Sequence, residues 1–281
     1  MSWAGGGSGT GRTGELAGAF PEPFDLAGPS FSTLLARHLP QAAPDLHGDL
    51  HGELPRELTP VEGTTVLACA FAGGIVIAGD RRATAVNVIS KRDMRKVFEA
   101  DSWSAVAISG VAGPAMELAK VFATELEHYE KVENGALSLE GKSNKLGQMV
   151  RANLPLAMQG LVVVPLFAGY DTQAGEGRIY EFDAAGGRYE EARFASQGSG
   201  ARDARGSLKG RYRPDLQRDE TVDVALEALW DAADEDSATG GPDLVRGIYP
   251  LVAVIDEDGY RELAEDDVAA RVDRVISARS E

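Results

Sequence analysis

The step Gly63-Thr64-Thr65 joins a Gly- and Pro-rich stretch to an apolar run, and Asp80 and Lys96 follow behind it. A cut after Gly63 would leave Thr64 with a free α-amine beside its own hydroxyl. A threonine hydroxyl is too weak an acid to attack an amide unaided and needs a base within hydrogen-bond reach, a role an α-amino group can fill. One residue would then supply both nucleophile and base.

The distribution of histidine points the same way. His38, His47 and His51 all precede Gly63 and would leave with that segment; only His128 would remain. It lies in the helical stretch 117–130 among charged neighbours, with no serine or cysteine elbow nearby, and reads as a solvated helix residue. A histidine-dependent triad is therefore poorly supported, and amide chemistry in this chain must use an amine, lysine or carboxylate as base.

The elements that would have to position these groups begin at Thr64. The runs Thr64–Ala72 and Ile75–Ala78 meet at Gly73-Gly74 and predict a β-hairpin. Trp103–Ser109 predicts a further strand. Helices are expected over Ala115–Glu133 and Leu139–Leu156, the second with Leu146, Met149, Val150 and Leu154 at helical spacing. Strands follow at Leu161–Tyr170, Arg178–Asp183 and Tyr189–Phe194, the last two separated by a turn at Ala185-Gly186-Gly187. Helices then span Ala201–Lys209 and Thr221–Asp234, with Val222, Ala225, Leu226 and Leu229 on an inward face. A strand at Tyr249–Asp256, a turn at Asp258-Gly259 and a helix at Glu265–Arg279 complete the chain. Strands, two helices, strands and helices again predict an α/β (α+β) protein, with an antiparallel sheet pair covered by helices in a four-layer α-β-β-α sandwich.

Composition bounds the rest. The 281 residues, 43% of them hydrophobic, can bury a substantial core, and the part after Gly63 suits one domain behind a leader. A net charge of −16 and a pI near 4.7 argue against a general affinity for nucleic acid or anionic membrane. The single cysteine, Cys69, has no disulfide or zinc partner and sits in the apolar run 66–71, where a buried small hydrophobe is favoured over a reactive thiol. No run approaches the eighteen apolar residues of a membrane span, and the N-terminus lacks the order of a secretory signal, so a cytosolic protein is expected. In the leader, Gly6–Thr13 imitates a phosphate loop and Gly9–Gly14 matches GxGxxG, but neither follows a strand or opens a helix, and flexible low complexity is the better reading.

The motifs Gly63-Thr-Thr-Val, Gly79-Asp-Arg-Arg-Ala-Thr84, Arg95-Lys-Val97, Ile108-Ser-Gly110, Gly198-Ser-Gly200 and Asp236-Ser-Ala-Thr-Gly-Gly241, in that order and spacing, resemble those of proteasome β subunits, most closely the actinomycete bacterial type. The resemblance spans residues 60–281 and implies the N-terminal-nucleophile hydrolase fold. It implies a propeptide over 1–63, removed at the Gly63-Thr64 cleavage site, and a threonine peptidase domain over 64–281. By the same resemblance Thr64 is the nucleophile, with Asp80 and Lys96 beside it. A lysine ammonium in a partly desolvated site would favour the ionised form of a nearby hydroxyl, and the Asp80 carboxylate would hold it there. A purely structural Lys–Asp ion pair accounts for the same two residues equally well.

Ser199 and Asp236 resemble the residues that position the terminal amine and its proton. Thr239 stands where the family commonly has serine, so its hydroxyl can take the same part. The backbone N–H of Gly110 is implied as the oxyanion donor, glycine allowing close approach of substrate to the main chain; read alone, Gly110 is a plain strand-end glycine. Thr84 resembles the position whose backbone pairs with an extended substrate. Ala83, Met94, Ile108, Ala112 and Met116 resemble the walls of the pocket for the side chain before the cut bond. All five are apolar, which favours apolar or aromatic residues there, although core packing uses the same residue types.

The function so implied is a self-processing threonine endopeptidase. It cuts its own Gly63-Thr64 bond, then cleaves unfolded or tagged polypeptides through an acyl-enzyme on Thr64, with no metal or organic cofactor. The resemblance further implies a seven-membered β ring stacked on rings of α-type subunits, with a regulatory ATPase ring feeding substrate through the α ring. Three other readings are open: a simpler HslV-type bacterial peptidase, disfavoured by the long leader and the extended region after Asp256; a non-catalytic ring subunit; and an amidohydrolase acting on a small metabolite.

Overall fold

The computed structural model describes residues 61–85 and 88–280; the leader readings over 1–60, including both glycine-rich motifs, lie outside the described residues. Strands β1 (Val61–Glu62), β2 (Thr65–Phe71), β3 (Gly74–Gly79), β4 (Ala83–Ala85), β5 (Val88–Lys91), β6 (Val97–Asp101) and β7 (Ser104–Ala107) come first. Helices α1 (Ala112–Glu133) and α2 (Leu139–Ala152) and the single turn α3 (Leu154–Ala157) follow. Next are β8 (Leu166–Asp171), β9 (Glu176–Phe182), β10 (Arg188–Glu191) and β11 (Phe194–Gly198). The chain closes with α4 (Ala201–Arg211), α5 (Arg218–Glu235), β12 (Leu251–Asp256), β13 (Gly259–Glu262) and α6 (Glu265–Ser280).

Two five-stranded antiparallel sheets carry the structure, ordered β10-β9-β8-β7-β6 and β11-β2-β3-β12-β13, beside a small sheet β1-β4-β5. Alternation along β2 and β3 sorts their side chains onto two faces. Val66, Ala68, Ile75 and Ile77 pack with Ala105, Leu166, Ala168 and Ile179 of the other sheet. Leu67, Cys69, Val76 and Ala78 point the other way, onto Leu208, Val222, Leu229 and Val272 of α4, α5 and α6. Correspondingly Val106, Phe167 and Tyr180 pack against Leu118, Phe122 and Leu146 of α1 and α2. A strand covered on both faces has no solvent side to vary, which is why residues 65–70 read as a nearly unbroken apolar run. The fold is an α/β sandwich. Cys69 is fully buried in it, and burial pushes its thiol up to about 12, well above the range of a reactive thiolate.

Several boundaries differ from the sequence reading for identifiable reasons. The strand expected over Tyr189–Phe194 is two strands in different sheets: β10 pairs with β9, while β11, beginning at Phe194, pairs with β2. The helix expected to reach Leu156 ends at Ala152, where the Asn153 N–H donates to the Met149 and Val150 carbonyls, and Pro155 opens the first turn of α3 instead. The strand expected from Leu161 starts at Leu166, after Pro165, which lacks a ladder donor. The short strands β4, β5, β6 and β13 had no separate signal.

This arrangement brings distant segments to one end of the second sheet. Val66 pairs with Gly79, which sets Thr65 against Asp80, and Gly198 of β11 pairs with Thr65, which sets Ser199 against Thr64. Lys96 immediately precedes β6, and its carbonyl accepts from the Ile108 N–H at 2.8 Å, tying it to the segment that leads to Gly110. The loop after α5 supplies residues 236–241.

Candidate active site

Thr64 is 5% exposed, and its backbone is held on both sides of the residue. Its N–H donates to Ser199 Oγ at 3.4 Å, and its carbonyl accepts from the Ser199 N–H at 2.8 Å and from the Ser199 hydroxyl at 3.3 Å. Asp80 and Lys96 are both fully buried, with Lys96 Nζ 2.5 Å from Asp80 Oδ1. The carboxylate is saturated: Oδ1 also accepts from the Thr65 N–H at 2.8 Å, and Oδ2 accepts from the N–H groups of Arg82 at 2.9 Å and Gly240 at 2.8 Å. Lys96 Nζ donates further to the Arg82 carbonyl and, at 3.5 Å, to the Gly63 carbonyl. The ammonium is therefore aimed at the peptide bond that joins Gly63 to Thr64.

A second cluster lies on the other side of Thr65. Asp236 Oδ2 accepts from the Thr239 hydroxyl at 2.6 Å and Oδ1 from the Ala238 N–H at 3.0 Å. Thr239 Oγ1 is 2.6 Å from Thr65 Oγ1, which also accepts from the Gly200 N–H at 2.9 Å. The two buried hydroxyls of Thr65 and Thr239 and the half-buried Asp236 carboxylate so form one chain leading from the Gly198-Ser199-Gly200 turn to Asp236. The Arg82 guanidinium closes the gap between the two clusters, donating to the Ser237 carbonyl at 3.1 Å and the Thr239 carbonyl at 3.0 Å. Sequence reasoning missed Thr65, Arg82 and Gly240. Of these only Arg82 left a signal, as a cation two residues after Asp80.

Burial drives the Lys96 ammonium down from its usual 10.5, against the pull of the Asp80 carboxylate beside it, and the net direction is down. A proton on Lys96 is thus held less firmly than on an exposed lysine. For Asp236, burial pulls upward, but hydrogen bonds from Ser199, Thr239 and the Ala238 N–H, with the charge of Lys96, outweigh it and leave the carboxyl below its usual 3.8. Its folded value is the lower one, so the stability it contributes is present above 3.8 and is lost as pH falls through the folded value. A carboxyl-carbon titration is expected to place the Asp236 midpoint below 3.8, and Asp236→Asn to remove that part of the acid sensitivity. A midpoint at or above 3.8 would contradict the hydrogen-bonded arrangement.

Gly63 has φ +110, and a Cβ there would meet Thr84 Oγ1 at 2.1 Å, so only glycine fits at this step. Gly110, with φ +93, is bridged to Val163 through the Val111 N–H to the Val162 carbonyl and the Val164 N–H to the Ser109 carbonyl. By alternation its own N–H points away from that ladder, and Gly110 lines a cavity of about 330 Å³ together with Thr64 and Ser199. The backbone N–H of Gly110 and the Thr64 residue thus face one space.

Among the residues expected at a substrate pocket, Ala83, Met94 and Ile108 are buried in one cluster, with Ala112 and Met116 packed against it. Thr84 pairs through its backbone with Glu62. None of these lines the cavity beside Thr64, whose walls come from Val111, Val162, Val164 and Gln197. His128 is exposed on α1, far from this network in the chain. Among the described residues no group of three or more His, Cys, Asp or Glu side chains could hold a metal ion, and no helix is long and apolar enough to cross a membrane. Chemically, the arrangement offers a hydroxyl, a lysine of lowered proton affinity and, at the Gly110 that lines the same cavity, a backbone N–H, a set suited to acyl transfer.

Comparison with known proteins points in one direction. A family model described as "Proteasome subunit" matches residues 61–245. A protein of Acidothermus cellulolyticus named "Proteasome subunit beta" is 51% identical over 99% of this chain and 96% of its own length. Proteins of the same name from Acidimicrobium ferrooxidans and Frankia casuarinae are 53% and 49% identical, over 92% and 94% of this chain and 94% and 96% of their own lengths.

Proposed function

This chain belongs to the proteasome subunit family as a β subunit, and we propose that it is a self-processing threonine endopeptidase of the core particle. The observation that carries the reading is the meeting, at the Gly63-Thr64 bond, of the Lys96–Asp80 pair with the Ser199, Asp236 and Thr239 cluster. In this reading the helix-covered sheet pair is the four-layer α-β-β-α sandwich of N-terminal-nucleophile hydrolases. Residues 1–63 are its propeptide and 64–281 its peptidase domain.

In the uncut chain Thr64 has no free amine. Lys96, donating to the Gly63 carbonyl, polarises that bond while Thr64 Oγ attacks its carbon. A C–O bond forms, the C–N bond breaks, and the hydroxyl proton passes to the departing Thr64 nitrogen. Water then hydrolyses the ester, leaving a Gly63 carboxylate and a Thr64 amine. That amine, with an unperturbed pKa of roughly 7.7–8.0, has a substantial neutral fraction near neutral pH and serves as base for attack on other chains. Ser199, already on the Thr64 nitrogen, orients it, and Asp236 and Thr239 fix the turn that carries Ser199. The Gly110 N–H takes the oxyanion, Thr84 pairs with extended substrate, and Ala83, Met94, Ile108, Ala112 and Met116 receive an apolar side chain before the cut bond.

The substrates are unfolded or tagged polypeptides in the cytoplasm. The partners are α subunits and six further copies in a seven-membered β ring, with an ATPase ring acting through the α ring. Holding the Thr64 nitrogen in an amide until assembly closes the chamber keeps the peptidase silent outside it. The test is the intact mass of the chain co-expressed with its α partner, read beside peptidase activity. Loss of residues 1–63 together with appearance of activity is the expected result; a fully assembled particle with an uncut, inactive chain would leave only a scaffold.

A further inference from the structure

One carboxylate points into the layer between the two sheets where its neighbours are apolar. Glu181 of β9 stands in register with Leu166 and two residues after Ile179, both of which pack in that layer, so by alternation its side chain points there too. It is 14% exposed. A group so placed is tolerated only with partners, and it has two: the Ser196 N–H donates to Glu181 Oε1 at 3.2 Å, and the Arg205 guanidinium pairs with the same oxygen. Burial nonetheless lifts the Glu181 carboxyl above its usual 4.5, with Arg205 and the Ser196 N–H pulling against it. Hydrophobic residues often replace buried pairs of this kind without loss of stability. Packing therefore gives no reason for a glutamate here.

The position of its two partners does. Ser196 is in β11 and Arg205 in α4, and between these elements lies the turn Gly198-Ser199-Gly200. β11 is the edge strand of its sheet, paired with β2 alone. The Ala70 N–H donates to the Arg193 carbonyl and the Ser199 N–H to the Thr64 carbonyl, so the odd-numbered residues face β2 and the Ser196 N–H faces the open edge. Glu181 takes that outward N–H, and Gln197 Nε2 donates to the Phe182 carbonyl at 3.3 Å, which ties the end of β11 to β9 of the other sheet. On the helix side, α4 starts at Gly200 without a side-chain cap, and Arg205, one turn in, brings it to the same carboxylate. The Ser196 hydroxyl closes the figure by donating to the Ala201 carbonyl at 2.8 Å. The turn that carries Ser199 is pinned at both ends to one carboxylate outside the proposed catalytic cluster.

We infer that Glu181 is a positioning residue: through Ser196 and Arg205 it sets the Gly198-Ser199-Gly200 turn, and hence where the Ser199 hydroxyl meets the Thr64 nitrogen. The inference rests on the peptidase reading.

The test uses assembled particles, with active sites counted by an electrophilic label on Thr64, and reads kcat and KM per labelled site beside the unfolding midpoint in denaturant. Glu181→Leu removes both ties. It is expected to lower kcat by on the order of thirtyfold with KM unchanged, because a misplacement of about 1 Å costs up to about 10²-fold, while the midpoint stays close to wild type. Glu181→Gln keeps an oxygen for the Ser196 N–H and loses only the charge facing Arg205, so kcat falls by about threefold. In a Ser199→Ala background Glu181→Leu has no further effect, since the group it positions is gone. Should Ser199→Ala stay uncut or cut too slowly, the order wild type, Gln, Leu in kcat at constant KM decides. Losses that multiply in the double variant would overturn the inference. So would Glu181→Leu particles with fewer labelled sites, a lower midpoint and unchanged kcat per site, which would make Glu181 a packing residue. Both outcomes leave the peptidase standing, provided that wild type sheds residues 1–63 and cuts peptide. A wild-type chain that keeps residues 1–63 and cuts no peptide would overturn both readings.

Discussion

Thr64→Ala, co-expressed with the α partner, is expected to give a chain that keeps residues 1–63 and whose peptidase activity is lower by on the order of 10⁶-fold. The size of the loss follows from the residue's double part. Without the hydroxyl there is no nucleophile for the Gly63 carbonyl, so the amine that would later serve as base is never released. The two losses are therefore not separable in this variant. Its folding should be intact, because the contacts that hold residue 64 are made by its backbone: the carbonyl accepts from Ser199, and the N–H donates to Ser199 Oγ. Thr64→Ser separates structure from chemistry. It restores a hydroxyl but not the β-branch that narrows χ1, so processing and activity return with a rate lower by roughly tenfold from the freer side chain. Intact mass and single-turnover peptide cleavage read both effects. An alanine variant that still sheds residues 1–63 would show that the cut is made by another chain and would remove the basis for self-processing.

Much of this candidate site was legible in the sequence because the chemistry proposed for it rests on residue types that stand out. Thr64 after a glycine, an acid at 80, a lysine at 96 and a glycine-flanked serine at 199 are visible without any contact map, and the hairpin formed by β2 and β3 follows from two apolar runs around glycines. What was not legible is set by pairing between distant segments. Nothing local announces that Thr65 shares hydrogen bonds with Thr239, that Gly240 donates to Asp80, or that Arg82 reaches across to residues 237 and 239. The change of sheet between Glu191 and Phe194 is likewise invisible, since both strands have extended, alternating sequence and differ only in their partners. The valines at 162 and 164 read as strand because their types favour it, whereas Pro165 and the bridge to Gly110 make them a cavity wall instead.

The buried pair of Asp80 and Lys96 yields the second large effect, and it is asymmetric. Breaking a buried ion pair by removing one partner costs on the order of 3–5 kcal/mol when the remaining charge has no other support. Asp80 has such support: were Lys96 replaced by methionine, the carboxylate would keep the N–H groups of Thr65, Arg82 and Gly240. Lys96 has less, because without Asp80 its ammonium faces only carbonyl oxygens from Arg82 and Gly63. Asp80→Asn is worse placed still, since whichever oxygen becomes an NH2 group meets two donors head on. Lys96→Met is therefore expected to destabilise the protein less than Asp80→Asn by about 2 kcal/mol, although both stop processing and peptide cleavage. The sign of the pH dependence distinguishes this account from a plain loss of packing. The folded Lys96 value lies below 10.5, so between the two values the unfolded chain binds more protons and this contribution to stability rises with pH. Lys96→Met should abolish that rise, leaving a flatter alkaline limb in denaturant unfolding measured on the assembled particle or on the chain held uncut by Thr64→Ala. Equal destabilisation by the two variants, with an unchanged alkaline limb, would mean that the pair holds the strands together without a poised proton. Lys96 would then act on the Gly63 carbonyl as a fixed charge alone.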